Sequence, residues 1–152
     1  MHKFESTDNA LDFAIEKEQE AHDFYMQLSE NIDRPTMKAI FAQFAREELG
    51  HKAKLEAVKR EGTLMSANQK IMNLGIADYV VGDVEPSSNM TYQEALIIAM
   101  NAEKRAFKLY TDLAASTDDP AMSELFLGLA QEEAKHKLRF ELEYDDHVLT
   151  EN

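Results

Sequence analysis

Two stretches of sequence, FAQFAREELGHKAKLE at residues 41–56 and FLGLAQEEAKHKLRFE at residues 126–141, decide how this chain folds. In both, apolar residues recur at alternating steps of three and four, the pattern of a helix that packs into a bundle. A glutamate, followed three residues later by a histidine, interrupts each apolar face. These pairs are Glu48 with His51 and Glu133 with His136. Because residues three apart share one side of a helix, both pairs are predicted to face the core.

An internal repeat relates the two stretches. Adding 85 to a residue number in the first half gives its counterpart in the second half, without a gap. The same offset pairs Glu18 with Glu103 and Tyr25 with Tyr110 on two further helices. Charged, aromatic and turn residues match as well as apolar ones, so the similarity exceeds what shared helix periodicity would produce. The sequence therefore predicts two copies of one helical hairpin.

Residues that end and start helices place the first hairpin at about residues 7–61. The turn Asp33-Arg34-Pro35 separates its two helices, and the second helix is predicted to begin at Pro35. Proline is favoured in a first helical turn and disfavours helical geometry in the residue before it. Gly62 follows the second helix as a C-terminal breaker.

The second hairpin is predicted at about residues 91–146. Thr91 and Glu94 have the spacing of a capping box, which starts the third helix. The fourth helix is predicted to run from about Pro120 to near Tyr144, because the turn before Pro120 repeats that of the first hairpin.

A crossover segment, residues 62–90, joins the hairpins. We expect a short helix at about residues 67–80 and a loop at residues 82–89 within it. A connection of this length lets the third helix start at the far end of the second, as crossover bundles require. We therefore predict an all-α four-helix bundle that forms a single domain over residues 1–152.

Composition limits the functions open to this chain. It has 152 residues, no cysteine and a formal net charge of −13. Without cysteine the chain has no disulfide, no thiol catalysis and no iron–sulfur or rubredoxin-type iron site of its own. The acidic charge argues against a nucleic-acid partner, because phosphates need a positive surface. No apolar run suits a bilayer span or a signal peptide, so we expect no membrane partner and a cytoplasmic location.

Four glutamates in the apolar seam call for compensating positive charge. They are Glu18, Glu48, Glu103 and Glu133. Burying ionised carboxylates without partners is costly, and several together also repel one another. No lysine or arginine occupies the seam, so we predict two metal ions among these glutamates, with His51 and His136 completing the ligands. Such an oxygen and nitrogen set suits iron or manganese and also accepts zinc.

Other polar residues near the seam allow two interpretations each. A single Glu-x-x-His on a helix is usually solvated surface, and only the repeated, matched arrangement favours a metal. Tyr25 and Tyr110 share a face with Glu18 and Glu103, and either pack in the core or donate a hydrogen bond to a ligand carboxylate. The repeated pair Glu47 and Glu132 lies one step outside the seam. We expect this pair at the surface or beside a ligand.

The order Glu, Glu-x-x-His, Glu, Glu-x-x-His resembles that of the ferritin-like di-iron carboxylate proteins. AIEKEQEAHDFY at residues 14–25 and LEYDDHVL at residues 142–149 resemble the rubrerythrin-like members that lack a rubredoxin domain. The resemblance covers nearly the whole chain and implies a ferritin-like bundle with two irons. It implies that Glu18 and Glu103 each bind one iron, that Glu48 and Glu133 bridge both, and that His51 and His136 each bind one.

This resemblance implies a non-haem di-iron oxidoreductase that reduces hydrogen peroxide or dioxygen. The electrons would come from a separate donor such as a rubredoxin-type protein, and the chain would form a homodimer. One departure is Ala106, where rubrerythrins have an additional glutamate. The resulting symmetric ligand set also resembles bacterioferritins, which makes iron oxidation and sequestration the alternative function. A third possibility is a metal-binding bundle with little turnover.

Overall fold

The structure, a computed structural model, describes residues 4, 6–62, 71, 74–75, 79 and 90–151. Most of them belong to four helices: α1 (Thr7–Asn31), α2 (Pro35–Glu61), α3 (Tyr92–Ala115) and α4 (Pro120–Glu151). The predicted all-α four-helix bundle is confirmed. Most of the short helix predicted at residues 67–80, and the whole loop at 82–89, lie outside the described residues. Among the helices of the described ranges, none combines the length and apolar character needed to cross a membrane.

Local conformation and hydrogen bonds explain why α2 ends and α3 begins where the sequence predicts. Gly62 ends α2 with a φ of 65°, a left-handed conformation that glycine adopts without steric cost. At the start of α3, the backbone N–H of Glu94 donates to the Thr91 hydroxyl at 3.1 Å. The N–H of Thr91 donates in return to the Glu94 carboxylate at 2.9 Å, which completes the capping box.

Helix α4 is longer than predicted. Its expected end was near Tyr144, but it continues to Glu151. The additional turns contact the rest of the bundle through His147, to which the sequence assigns no role. The His147 ring packs edge-on against that of Tyr92 with centroids 5.2 Å apart, and Arg34 approaches its Nδ1 atom at 3.1 Å. The prediction ended the helix too early because these contacts come from other helices and leave no local end signal.

Two apolar core regions lie on either side of a central polar layer. The first contains Leu11, Leu55, Leu113 and Phe126. The second contains Tyr25, Phe41, Leu96 and Phe140. The end of α2 therefore lies in the first region and the start of α3 in the second, at the opposite end of the bundle. Each large apolar side chain buried here contributes about 1.5–3 kcal/mol to folding, so both regions hold the polar layer in place.

Candidate metal centre

All six residues predicted to be metal ligands lie in the central polar layer. Each is at most 4% exposed: Glu18, Glu48, His51, Glu103, Glu133 and His136. Each helix contributes its own glutamate, and the Glu-x-x-His spacing places both histidines on the same inward face as the glutamates before them. The structure thus brings together residues that are far apart in the sequence.

The ligand atoms of these residues form two overlapping groups of four. Within each group all atoms lie within 4.8 Å of one another. One group is Glu18, Glu48, His51 and Glu133, and the other is Glu48, Glu103, Glu133 and His136. Glu48 and Glu133 belong to both groups, whereas Glu18 and Glu103 belong to one each. This arrangement suits two neighbouring cations that share two carboxylates.

The close approaches between histidines and glutamates in the polar layer lack the geometry of hydrogen bonds. His51 Nδ1 lies 2.8 Å from Glu133 Oε1, and His136 Nδ1 lies 3.3 Å from Glu48 Oε1. Even so, each of the six residues has a buried side-chain atom without a hydrogen-bond partner among the described residues. Buried polar atoms without a partner are rare and costly in folded proteins. A cluster of carboxylate and imidazole ligand atoms, buried within 4.8 Å of one another, fits coordination of a cation.

Tyr25 and Tyr110 hold the two carboxylates that belong to single groups. The Tyr25 hydroxyl donates to Glu103, and the Tyr110 hydroxyl donates to Glu18. Burial and then the adjacent carboxylate raise the pKa of each tyrosine well above its ordinary value, so both remain protonated donors. Both rings are also buried. Each tyrosine therefore packs in the core and also donates a hydrogen bond to a candidate ligand carboxylate. Each hydrogen bond joins one hairpin to the other and orients a carboxylate.

Burial and mutual repulsion oppose ionisation in the polar layer. Burial, and next the charges of Glu103 and Glu18, raises the pKa of Glu48 well above its usual value. Burial and the charge of Glu103 raise the pKa of Glu133 in the same way. Burial lowers the pKa of His136, but the close negative carboxylates of Glu103 and Glu48 outweigh this effect and raise the pKa to about 10. Without a cation the layer retains protons, which a bound metal ion would displace.

The surroundings of His136 break the symmetry of the repeat. The Phe44 ring stacks on its imidazole with centroids 3.9 Å apart, and Glu47 Oε1 lies 3.6 Å from its Nε2. The repeat counterpart of Glu47 is Glu132, which contacts Lys135 at 3.4 Å instead. The sequence treats Glu47 and Glu132 as equivalent, and no local signal distinguishes them. Only the packing of the helices shows that Glu47 is the one beside a candidate ligand.

Comparisons with known proteins agree with this fold. A solved ferritin-like diiron-carboxylate protein from Thermotoga maritima has a TM-score of 0.78 and 21% identity, over 97% of this chain and 99% of that one. A hypothetical protein from Pyrococcus furiosus has a TM-score of 0.72 and 23% identity, over 91% of this chain and 87% of that one. No curated protein matches the chain.

A family model described as Rubrerythrin matches residues 9–144, which include all six clustered residues. The mixed carboxylate and imidazole set fits the metal chemistry of such a bundle, because oxygen and nitrogen ligands suit iron, manganese or zinc. Since the match spans most of its length, this chain belongs to the rubrerythrin family.

Proposed function

We propose that the protein is a non-haem di-iron oxidoreductase that reduces hydrogen peroxide or dioxygen with electrons from an external donor. The observation that carries this proposal is the convergence of six buried side chains, each with an atom left without a hydrogen-bond partner among the described residues. Membership of the rubrerythrin family supports the same chemistry.

In this proposal Glu48 and Glu133 would help to hold both irons, because both residues belong to both groups. Glu18 and His51 would hold one iron with them, and Glu103 and His136 would hold the other. When bound, reduced iron supplies the electrons for the oxidant. The chain contributes a shielded site, and the tyrosine hydroxyls keep the two outer carboxylates oriented while charge at the centre changes.

The proposal includes a separate electron donor and a second copy of the chain. A small redox protein of the rubredoxin type would supply one electron at a time, because the chain has no cysteine to hold such a site.

Self-association is supported by exposed leucines that share one side of α4: Leu127, Leu138, Leu142 and Leu149. Light scattering coupled to size-exclusion chromatography tests the homodimer, and a monomer at micromolar concentration contradicts it.

A test of the function starts from protein purified without chelator, loaded with ferrous iron under nitrogen and desalted. Hydrogen peroxide or dioxygen is then mixed with it separately in a stopped-flow instrument. We expect oxidation of both irons, followed by renewed reduction when an electron donor is added. Tightly bound zinc that no iron displaces, with no change on oxidant addition, would instead indicate a metal-binding bundle with little turnover.

Iron oxidation for storage is the alternative function. It is supported by the symmetric ligand set and by Ala106, where the third helix offers no further carboxylate. Storage predicts that many irons accumulate per chain during repeated additions of ferrous iron in air. The oxidoreductase proposal predicts that iron stays at about two per chain and that excess ferric iron precipitates outside the protein.

A further inference from the structure

An opening between α1 and α3 leads to the polar layer. Helix α1 packs along α2, and α3 packs along α4, whereas the backbones of α1 and α3, like those of α2 and α4, come close at few points. Across the bundle, aromatic rings fill the space between α2 and α4. The ring centroids of Phe41 and Phe140 are 5.4 Å apart, and those of Phe44 and Phe140 are also 5.4 Å apart. Between α1 and α3 the facing residues include the small side chains of Ala21 and Ala106.

These small side chains leave a cavity of about 460 Å³. Its floor is formed by the carboxylates of the polar layer: Glu18, Glu48, Glu103 and Glu133. Its lining extends outward to exposed residues of α1 such as Glu20 and Gln27, so one side reaches solvent. The cavity therefore joins the protein surface to the candidate metal centre.

The size of this cavity exceeds what hydrogen peroxide or dioxygen needs. A water molecule occupies about 30 Å³ of liquid, and cavities of about 300–1,000 Å³ typically hold organic ligands. Buried apolar residues, including Phe24, Ile98 and Leu109, line the space above the carboxylates. An apolar lining of this kind binds water poorly and favours the burial of a hydrocarbon group.

The charges at the mouth of the cavity favour a neutral ligand. Lys17 lies there, but its ammonium group is paired with Glu20 at 3.0 Å. Arg105 and Asp23 add one charge of each sign to the lining. The chain as a whole has a formal charge of −13, which repels anions such as fatty-acid carboxylates.

We propose that this cavity holds the hydrocarbon part of an organic hydroperoxide, with the peroxide group placed at the carboxylate floor. This inference rests on the proposed function, and it names the substrate class of the same site. The reaction converts R–O–OH, with two electrons and two protons, into R–OH and water. The O–O bond breaks, the two electrons come from the external one-electron donor, and the protons come from solvent.

Cavity-filling variants test the inference by activity. Ala106→Leu extends into the cavity from α3, and Ala21→Leu does so from α1, so either serves if the other misfolds. Ala53→Leu, at an exposed position of α2, is the matched control. In the iron-loaded protein with a chemical donor, we expect each cavity variant to lower kcat/KM for cumene hydroperoxide about tenfold or more. The value for hydrogen peroxide should stay within about twofold, and Ala53→Leu should change neither.

A binding measurement separates this inference from the proposed function. We expect the zinc-loaded protein, which does no redox chemistry, to bind the product 2-phenyl-2-propanol saturably in calorimetry. The affinity should fall at least about tenfold in the cavity variants and stay unchanged in Ala53→Leu. Reduction of hydrogen peroxide without binding of the alcohol, or an equal loss for both peroxides in Ala106→Leu, would overturn the inference and leave the function intact. Specific alcohol binding without reduction of any peroxide would support the cavity and overturn the function.

Discussion

At the scale of single residues, the buried carboxylates of Glu48 and Glu133 control how the centre responds to its surroundings. Burial and then the nearby negative charges raise the pKa of each carboxyl group, so without a cation the neutral form is favoured. Metal ions and protons therefore compete for the same oxygens. Removing the metal leaves a site that takes up protons, so the stability of the metal-free protein depends on pH.

Metal-free protein is expected to lose stability as the pH rises above about 4.5, the ordinary pKa of glutamate. Above this pH the unfolded chain has released protons that folded Glu48 and Glu133 still hold. His136 acts in the same direction from about pH 6.5, because its folded pKa of about 10 lies above its ordinary value. The free energy of unfolding, measured in urea with chelator from pH 5 to pH 8, checks this. Glu48→Gln with Glu133→Gln should flatten the dependence, and an unchanged slope in that variant contradicts the explanation.

The contact between Glu47 and His136 predicts that the two metal positions differ. Glu47→Gln removes the charge near Nε2 and should weaken binding at one position by about 10-fold to 100-fold. Glu132→Gln alters the repeat counterpart, which faces Lys135, and should leave both affinities unchanged. Calorimetric titration of the metal-free protein with cobalt(II), together with the visible cobalt spectrum, measures both steps. Equal effects of the two variants would show that Glu47 has no special role.

At the scale of helices, ends held by local contacts could be predicted and ends held by distant contacts could not. The Gly62 terminator and the Thr91–Glu94 capping box each involve residues close in sequence, and both are confirmed. The end of α4 depends on the packing of His147 against Tyr92, from another helix, and was predicted too early. A capping motif can be recognised from one stretch of sequence, whereas a contact between helices requires their arrangement to be known.

Two glycine substitutions test the account of the helix ends. Gly62→Ala places a Cβ atom on a residue with a φ of 65°, and should cost about 1–2 kcal/mol of stability. Gly128→Ala, inside α4 with nothing within 4 Å of the added Cβ atom, should instead stabilise the protein by about 0.5–1 kcal/mol. Urea denaturation of both variants, with the wild type as reference, measures the difference. Equal effects would contradict the role assigned to Gly62.

At the scale of the whole molecule, the sequence repeat was enough to predict the polar layer. The distances between the helices could not be predicted from the repeat. Glutamates that interrupt all four apolar faces imply that the carboxylates meet wherever the faces pack. The cavity beside them depends on the distance between α1 and α3, which no residue spacing encodes. Ala21 and Ala106 match in the repeat as ordinary small seam residues, and only the assembled bundle shows that they line an opening.

The central claim is that the bundle accommodates four inward-facing carboxylates because cations bind among them. The iron content of the protein tests this claim most directly. Wild-type protein and the variant with Glu48→Ala and Glu133→Ala are loaded with ferrous iron under nitrogen, desalted and measured by atomic spectroscopy. We expect about two irons per wild-type chain and fewer than about 0.2 in the variant, because both groups of ligands lose their shared members. Circular dichroism should show that the variant remains helical. Retention of two irons by the folded variant, or none by the wild type, would contradict the account.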